Sequence, residues 1–294
     1  MKRSTFIKTL GLSSVAMSIY SFSHLQSFSE WFKNSEKMPV LFLGHGSPMN
    51  AIEENEFVKG FRQVAKEIPK PNAILCISAH WYTKGTKVTA MEMPRTIHDF
   101  GGFPKALFDV QYPAKGSPAL AKETVDLLMP TPVEEDHSWG LDHGAWSVIK
   151  HLYPAADIPV IQMSIDYTKP AQYHFELAKN LDKLRHKGVL IIGSGNIVHN
   201  LGLADFPNIN KIGHGFDWAV EARQKINSWI QDENFNPIIE YQKQGQAINL
   251  AIPTPDHYLP LIYTLGLKGA KDNIELFNDQ LLAGSLSMTS VKIG

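Results

Sequence analysis

Three apolar runs in this sequence each lead to a histidine. "LFLGHGSPMN" carries His45, "AILCISAHW" carries His80, and "VLIIGSGNIVHN" carries His199. A fourth, His257, lies in "PTPDHYLPL", where a Pro-rich loop runs into an apolar segment. A fifth, His143, lies in "WGLDHGAW" between Asp142 and Gly144. Neutral imidazole ligates Zn, Fe, Cu or Ni, and its ordinary pKa lets it carry protons near neutral pH. A lone histidine is more often a hydrogen-bonded structural residue than a ligand. Several at the ends of apolar runs argue for a shared site, because the strand ends of one parallel sheet lie along one edge. Glycines beside His45 and His143 let the backbone approach a bound group closely. Other histidines of the 12 lack this context. His151, His174 and His186 are expected on solvated helix faces, His24 falls in the leader, and His137 and His214 have no assigned place.

The elements that must position these rings are short and alternate in kind. "PVLFLG", "AILCISAHW", "TKVTAME", "PVIQMSI" and "GVLIIGSG" predict strands, being short and bounded by Gly or Pro. "EFVKGFRQVAKEI", "SPALAKETVDLLM", "HGAWSVIKHLY", "YHFELAKNLDKLR", "HGFDWAVEARQKINSWIQ" and "YLPLIYTLGL" predict helices. This alternation predicts an α/β fold: a single domain, residues 38–294, whose central largely parallel or mixed sheet is flanked by helices. The metal site is then expected at the carboxyl ends of the strands. "GSGNIVHN" is not a dinucleotide-binding turn, since the third glycine position is Val198. There is no P-loop and no G-x-S-x-G elbow.

The formal net charge is -1, which gives no field to attract nucleic acid. The single cysteine, Cys76, sits in the apolar run "AILCIS" and leaves no disulfide framework or cysteine-based zinc cluster. Any metal must therefore be held by nitrogen and oxygen. Residues 1–37 begin "MKRSTFIKTLGLSSVAMSIYSFS", with a basic start and a Ser-rich apolar stretch. "KRSTFIK" is similar to a twin-arginine export motif with Lys2 at the first arginine position. Export to the periplasm is the expectation, with a frayed leader on a cytoplasmic protein as the alternative. No other stretch is long and apolar enough to span a bilayer.

"LFLGHGSPMN", "SAHWYTKGTKVTAM", "TIHDFGGFPKALFDVQYPAKGSPALA", "WGLDHGAWSVIKHLYPAADIPVIQMSID", "SGNIVHNL" and "PTPDHYLPLIYTLG" together resemble the class III extradiol ring-cleavage dioxygenases, the LigB-type superfamily, and within it the 4,5-DOPA extradiol branch. The resemblance runs from Met38 to the terminal "GSLSMTSVKIG" and implies a role for each matching position. His45, His80 and His257 match metal ligands. His199 matches a histidine that is either a fourth ligand or the acid/base facing substrate. His143 matches a substrate-facing histidine and a second candidate base. His98 and "HDFGGFP" match a segment bordering the catechol pocket. Phe100 and Tyr258, with Trp81 and Phe103, are candidate walls for the ring, although core packing is the default for any one aromatic. The implied reaction inserts O2 into a catechol-type ring with ring opening, at one divalent metal per chain.

Non-haem iron oxygenases commonly use two histidines and a carboxylate. Here the carboxylate position is His257, and an all-histidine set suits Zn(2+) as well as Fe(2+). Two alternatives use the same residues: a zinc hydrolase acting through a metal-activated water, and a non-catalytic metal-binding protein. The absence of H-E-x-x-H counts against a common protease type.

Overall fold

In the computed structural model, β1 (Val40–Gly44) pairs in parallel with β6 (Val189–Gly195), with Val40 opposite Ile191 and Gly44 opposite Gly195. β6 pairs in parallel with β2 (Ala73–Thr83), and β2 with β5 (Val160–Asp166). These four strands form a parallel core. β3 (Thr86–Thr89), β4 (Val133–Asp136), β7 (Ile274–Phe277) and β10 (Ser290–Ile293) extend it to eight strands in the order β4-β3-β5-β2-β6-β1-β10-β7. The β3–β5, β1–β10 and β10–β7 pairings are antiparallel, so the sheet is mixed. The antiparallel C-terminal strands and β4 carry no strong apolar run, and the sequence pattern did not mark them. β8 (Leu281–Leu282) and β9 (Leu286–Ser287) form a separate short hairpin. The structure describes residues 36–209 and 211–294. The expected export signal and His24 lie outside the described residues.

Side chains alternate across each strand, and this assigns the two faces. Leu41, Leu43, Ile74, Cys76, Leu190 and Ile192 share one core cluster with Phe57, Phe61, Ala145, Trp146 and Ile149. Those partners come from α1 (Glu56–Glu67) and α4 (His143–Leu152). The opposite face packs against α10 (Leu259–Gly266), which also packs on α5 (Ala171–Lys179). The remaining helices are α2 (Lys105–Phe108), α3 (Pro118–Leu128), α6 (Asp182–Arg185), α7 (Asp217–Gln231), α8 (Asn236–Ile239) and α9 (Gln246–Ala251). The helix predicted over "YHFELAKNLDKLR" is interrupted at Asn180–Leu181 and becomes α5 and α6. No helix of the described residues is long and apolar enough to cross a membrane.

Two expectations about histidines are corrected. His151 and His174 are buried, not solvated. His151 Nε2 lies 2.7 Å from the Asn50 carbonyl, and His174 Nδ1 lies 2.8 Å from the Tyr263 hydroxyl. Each helix carries its histidine on the inner face, where a polar partner from another element meets it. His186 is exposed, as expected.

Candidate metal centre

The carboxyl ends of β1, β2 and β6 meet at one edge, and the loops leaving them carry the histidines. His45 directly follows β1, and its N–H donates to the Gly195 carbonyl at 3.0 Å. His80 lies inside β2, where pairing with β5 is interrupted between Ile77 and Tyr82. The turn bearing His257 precedes α10, and the His257 carbonyl accepts from Asn196 N–H at 2.9 Å. Gly195 is required here: a Cβ on it would collide with the His257 carbonyl. One end of β6 thus holds both the His45 and His257 segments by their backbones.

His45, His80 and His257 each offer a ring nitrogen, and the three atoms lie within 4.8 Å of one another. The partners of the other ring nitrogens decide which lone pairs are free. Ser194 donates its hydroxyl to the Gly144 carbonyl and lies 2.9 Å from His45 Nδ1. Its proton being committed, it accepts from His45 Nδ1–H. His45 Nε2 is therefore a bare acceptor. Asp256 takes Nδ1 of His257, and Asp99 lies 3.4 Å from Nδ1 of His80. His80 Nε2 then faces His45 Nε2 at 3.4 Å. Two acceptors at that separation repel unless a cation lies between them. Ligands about 2.1 Å from one tetrahedral ion stand about 3.4 Å apart, so the residues fit a metal. Carboxylate and hydroxyl groups behind ligating histidines fix their tautomers in this manner.

Burial and then the neighbouring His80 and His257 hold His45 well below the usual imidazole pKa. His80 is lowered by burial first and by His143 next. Burial pushes Asp256 up, but the hydrogen bond and charge of His257, with hydrogen bonds from Thr254 and the backbone, together leave the carboxylate far below its usual range. Neutral imidazoles backed by ionised carboxylates are the protonation states that ligation requires.

The sequence family described as the catalytic LigB subunit of aromatic ring-opening dioxygenase matches residues 39–287. The chain belongs to this family. It is 46% identical over 269 residues to a 4,5-DOPA dioxygenase extradiol of Escherichia coli (strain K12), covering 89% of this chain and 96% of that one. A protein of the same name from Beta vulgaris is 35% identical over 259 residues, covering 86% and 95%. The crystal structure of an uncharacterized protein from Escherichia coli K12 superposes with a TM-score of 0.76 at 41% identity, covering 87% of this chain and 100% of that one. The single α/β domain with a mixed sheet is the fold they share.

In this LigB-family site the remaining expected residues take distinct places. His199 stacks on His257, with ring centroids 3.6 Å apart and planes 6° from parallel. Its backbone is clamped from two sides: its N–H donates to Ala251, and it bridges to Leu286. Burial first, and His257 next, lower its pKa to about 3, so it stands as a neutral imidazole. His143 is the first residue of α4, with Nδ1 3.0 Å from Asp99 and its ring 3.9 Å from that of His80. Phe100 meets the His143 ring edge-on at 5.4 Å. His98 sits behind Phe100 with Nε2 2.9 Å from the Val110 carbonyl, fastening the loop. Phe103 packs edge-on against Phe100.

Two aromatic expectations are corrected. Tyr258 is buried, and its hydroxyl donates to the Ile238 carbonyl at 3.1 Å, so the ring is core beneath the turn. Trp81 is buried and stacks on Trp139 at 5.6 Å.

Sequence reasoning missed Asp99. One of its oxygens accepts from His143 N–H at 2.9 Å, and the other faces the rings of His143 and His80. Burial raises its pKa, yet the hydrogen bonds and charge of His143 together with the charge of His80 keep it below the usual range. Ser78 and Ser194 lie opposite each other on β2 and β6. Ser78 donates to the buried Asp142 at 2.7 Å, and Asp142 caps α4 by accepting from Ala145 N–H. The available signal was an aspartate adjacent to a histidine, repeated at 98–99, 142–143 and 256–257, and also at 136–137 where the histidine is exposed.

Proposed function

We propose that this chain is an extradiol dioxygenase that opens the ring of a DOPA-like catechol with O2, at one divalent metal held by His45, His80 and His257. The observation that carries this reading is the convergence of ring nitrogens from His45, His80 and His257, with the Nε2 atoms of His45 and His80 facing each other at 3.4 Å and an acceptor on the Nδ1 side of each. The relatives named 4,5-DOPA dioxygenase extradiol support the substrate class. A bound metal supplies Lewis acidity toward the catechol hydroxyls and a route for electrons from ring to O2. Fe(2+) is the metal for ring cleavage, and Zn(2+) is an occupant the same nitrogen set accepts.

The protein's own groups handle the protons. His199, stacked on the candidate ligand His257, is placed to take a catechol hydroxyl proton and return it later to the opening ring. His143, held by Asp99, hydrogen-bonds the substrate from the opposite side of His80. Phe100 walls the ring next to His143.

The test is anaerobic loading with Fe(2+), followed by oxygen uptake with a series of catechols. The expected result is one O2 consumed per catechol, with a yellow ring-opened product. Fe(2+)-loaded enzyme that binds catechol but consumes no O2 would leave a metal-binding protein, and Zn(2+)-dependent ester cleavage would favour a hydrolase.

A further inference from the structure

A cleft of about 520 Å³ opens next to the metal-binding turn, among Tyr82, Tyr167, Lys169, Gln172, Tyr241 and Pro255. Two of its walls belong to elements that carry candidate ligands. Tyr82 lies two residues beyond His80 on β2. Pro255 opens the turn that carries Asp256 and His257, accepting from Tyr258 N–H at 2.9 Å and Leu259 N–H at 2.8 Å.

The lining has a definite chemistry. Tyr82 and Tyr167 are a half-exposed aromatic pair with centroids 5.6 Å apart. Lys243 on the rim is already matched by Glu240 at 2.6 Å. Lys169 is different: its ammonium lies 5.5 Å over the Tyr173 ring and makes no close ion pair among the described residues, with Asp166 the carboxylate that feels its charge. The cleft therefore combines one cation available for a partner, a neutral amide in Gln172, and aromatic walls. That set matches a small organic carboxylate better than a phosphate, which calls for several donors and more positive charge.

We propose that this cleft receives the carboxylate-bearing side chain of the catechol substrate, with Lys169 as the partner of the carboxylate and Tyr82 and Tyr167 flanking the chain. The proposal rests on the ring-opening reading and specifies its substrate. The reach agrees with it: at a rise of about 3.3 Å per residue, Tyr82 stands about 7 Å along β2 from His80. That is the span of a two- or three-carbon acid substituent on a catechol bound at the metal. Lys169 is then a specificity determinant for the substituent, separate from the histidines that act on the ring.

The experiment compares 3-(3,4-dihydroxyphenyl)propionate with 4-methylcatechol on the Fe(2+)-loaded wild type, Lys169→Met and Lys169→Arg. The ratio of kcat/KM for the acid to that for the neutral catechol is expected to fall about tenfold in Lys169→Met, the worth of one charge-assisted hydrogen bond. Lys169→Arg should restore it, with the change residing in KM. Anaerobic calorimetric titration with the acid should show the same tenfold weakening without turnover. A ratio and affinity unmoved by Lys169→Met would overturn the proposal. If neither catechol consumes O2, the ring-opening reading fails, and the titration still decides whether Lys169 holds the carboxylate.

Discussion

His199 and His257 lie face to face, yet their partners differ, and so do the outcomes expected on replacing them. His257 has Asp256 behind it and belongs to the convergent nitrogen set. His257→Ala should abolish stoichiometric metal binding, measured by elemental analysis after dialysis. His199→Gln should retain about one metal per chain while turnover falls by about 10²–10⁴, the usual worth of a general acid or base. Equal metal loss in the two variants would make His199 a ligand and leave His143 as the base. Asp256→Asn keeps the shape of the side chain and removes the charge that orients His257. Metal affinity is expected to fall by about 10–100-fold, read by chelator competition. The histidines of the site were legible one at a time, because each stands beside a recognisable run. Asp99 was not, because its role depends on meeting His80 and His143 across loops.

At the scale of elements, β6 does the most to assemble the site. Its end accepts from His45 N–H, and the Asn196 that follows donates to the His257 carbonyl. Gly195→Ala would drive a methyl into that carbonyl, an overpacking cost of about 1–3 kcal/mol. The expected result is a lower Tm and loss of metal, with far-UV circular dichroism preserved. The contact of α5 with α10 carries a pH dependence outside the site. Burial lowers the pKa of His174 from the usual 6.5 to about 4. The unfolded chain binds this proton more readily than the folded one. The stabilisation is therefore complete above pH 6.5 and is lost as pH falls through about 4, at most about 3 kcal/mol. Tm measured from pH 7 to pH 4 should fall less steeply in His174→Gln than in the wild type.

For the molecule as a whole, the family match begins at residue 39 and the sheet begins at Val40. The chain just before β1 is tied in firmly. The buried Arg185 side chain donates to the carbonyls of Met38 at 2.8 Å and Leu267 at 2.7 Å, and pairs with Asp272. Lys37 joins the same carboxylate at 3.1 Å. Removing residues 1–35 is therefore expected to leave Tm and metal content unchanged, measured by thermal melt and metal analysis. A deletion through Met38 should lower Tm, because it strips a buried guanidinium of one of its acceptors and Asp272 of one of its cations.

The sequence by itself determined the parallel core and the histidines at its edge. Short continuous apolar runs and strand-end punctuation are local signals, readable without knowing what the chain folds against. Tertiary structure decided the rest, because the deciding contacts are distant along the chain. His45 finds Ser194 across 149 residues, and that hydroxyl sets its tautomer. His151 and His174 have the same neighbours in sequence whether solvated or buried, and only packing placed polar partners against them. Tyr258 is adjacent to a candidate ligand, yet the turn into α10 sends its ring into the core and its hydroxyl to Ile238. β10 pairs antiparallel with β1 and β7 with β10, closing the sheet edge, a long-range choice that short, weakly apolar segments do not announce.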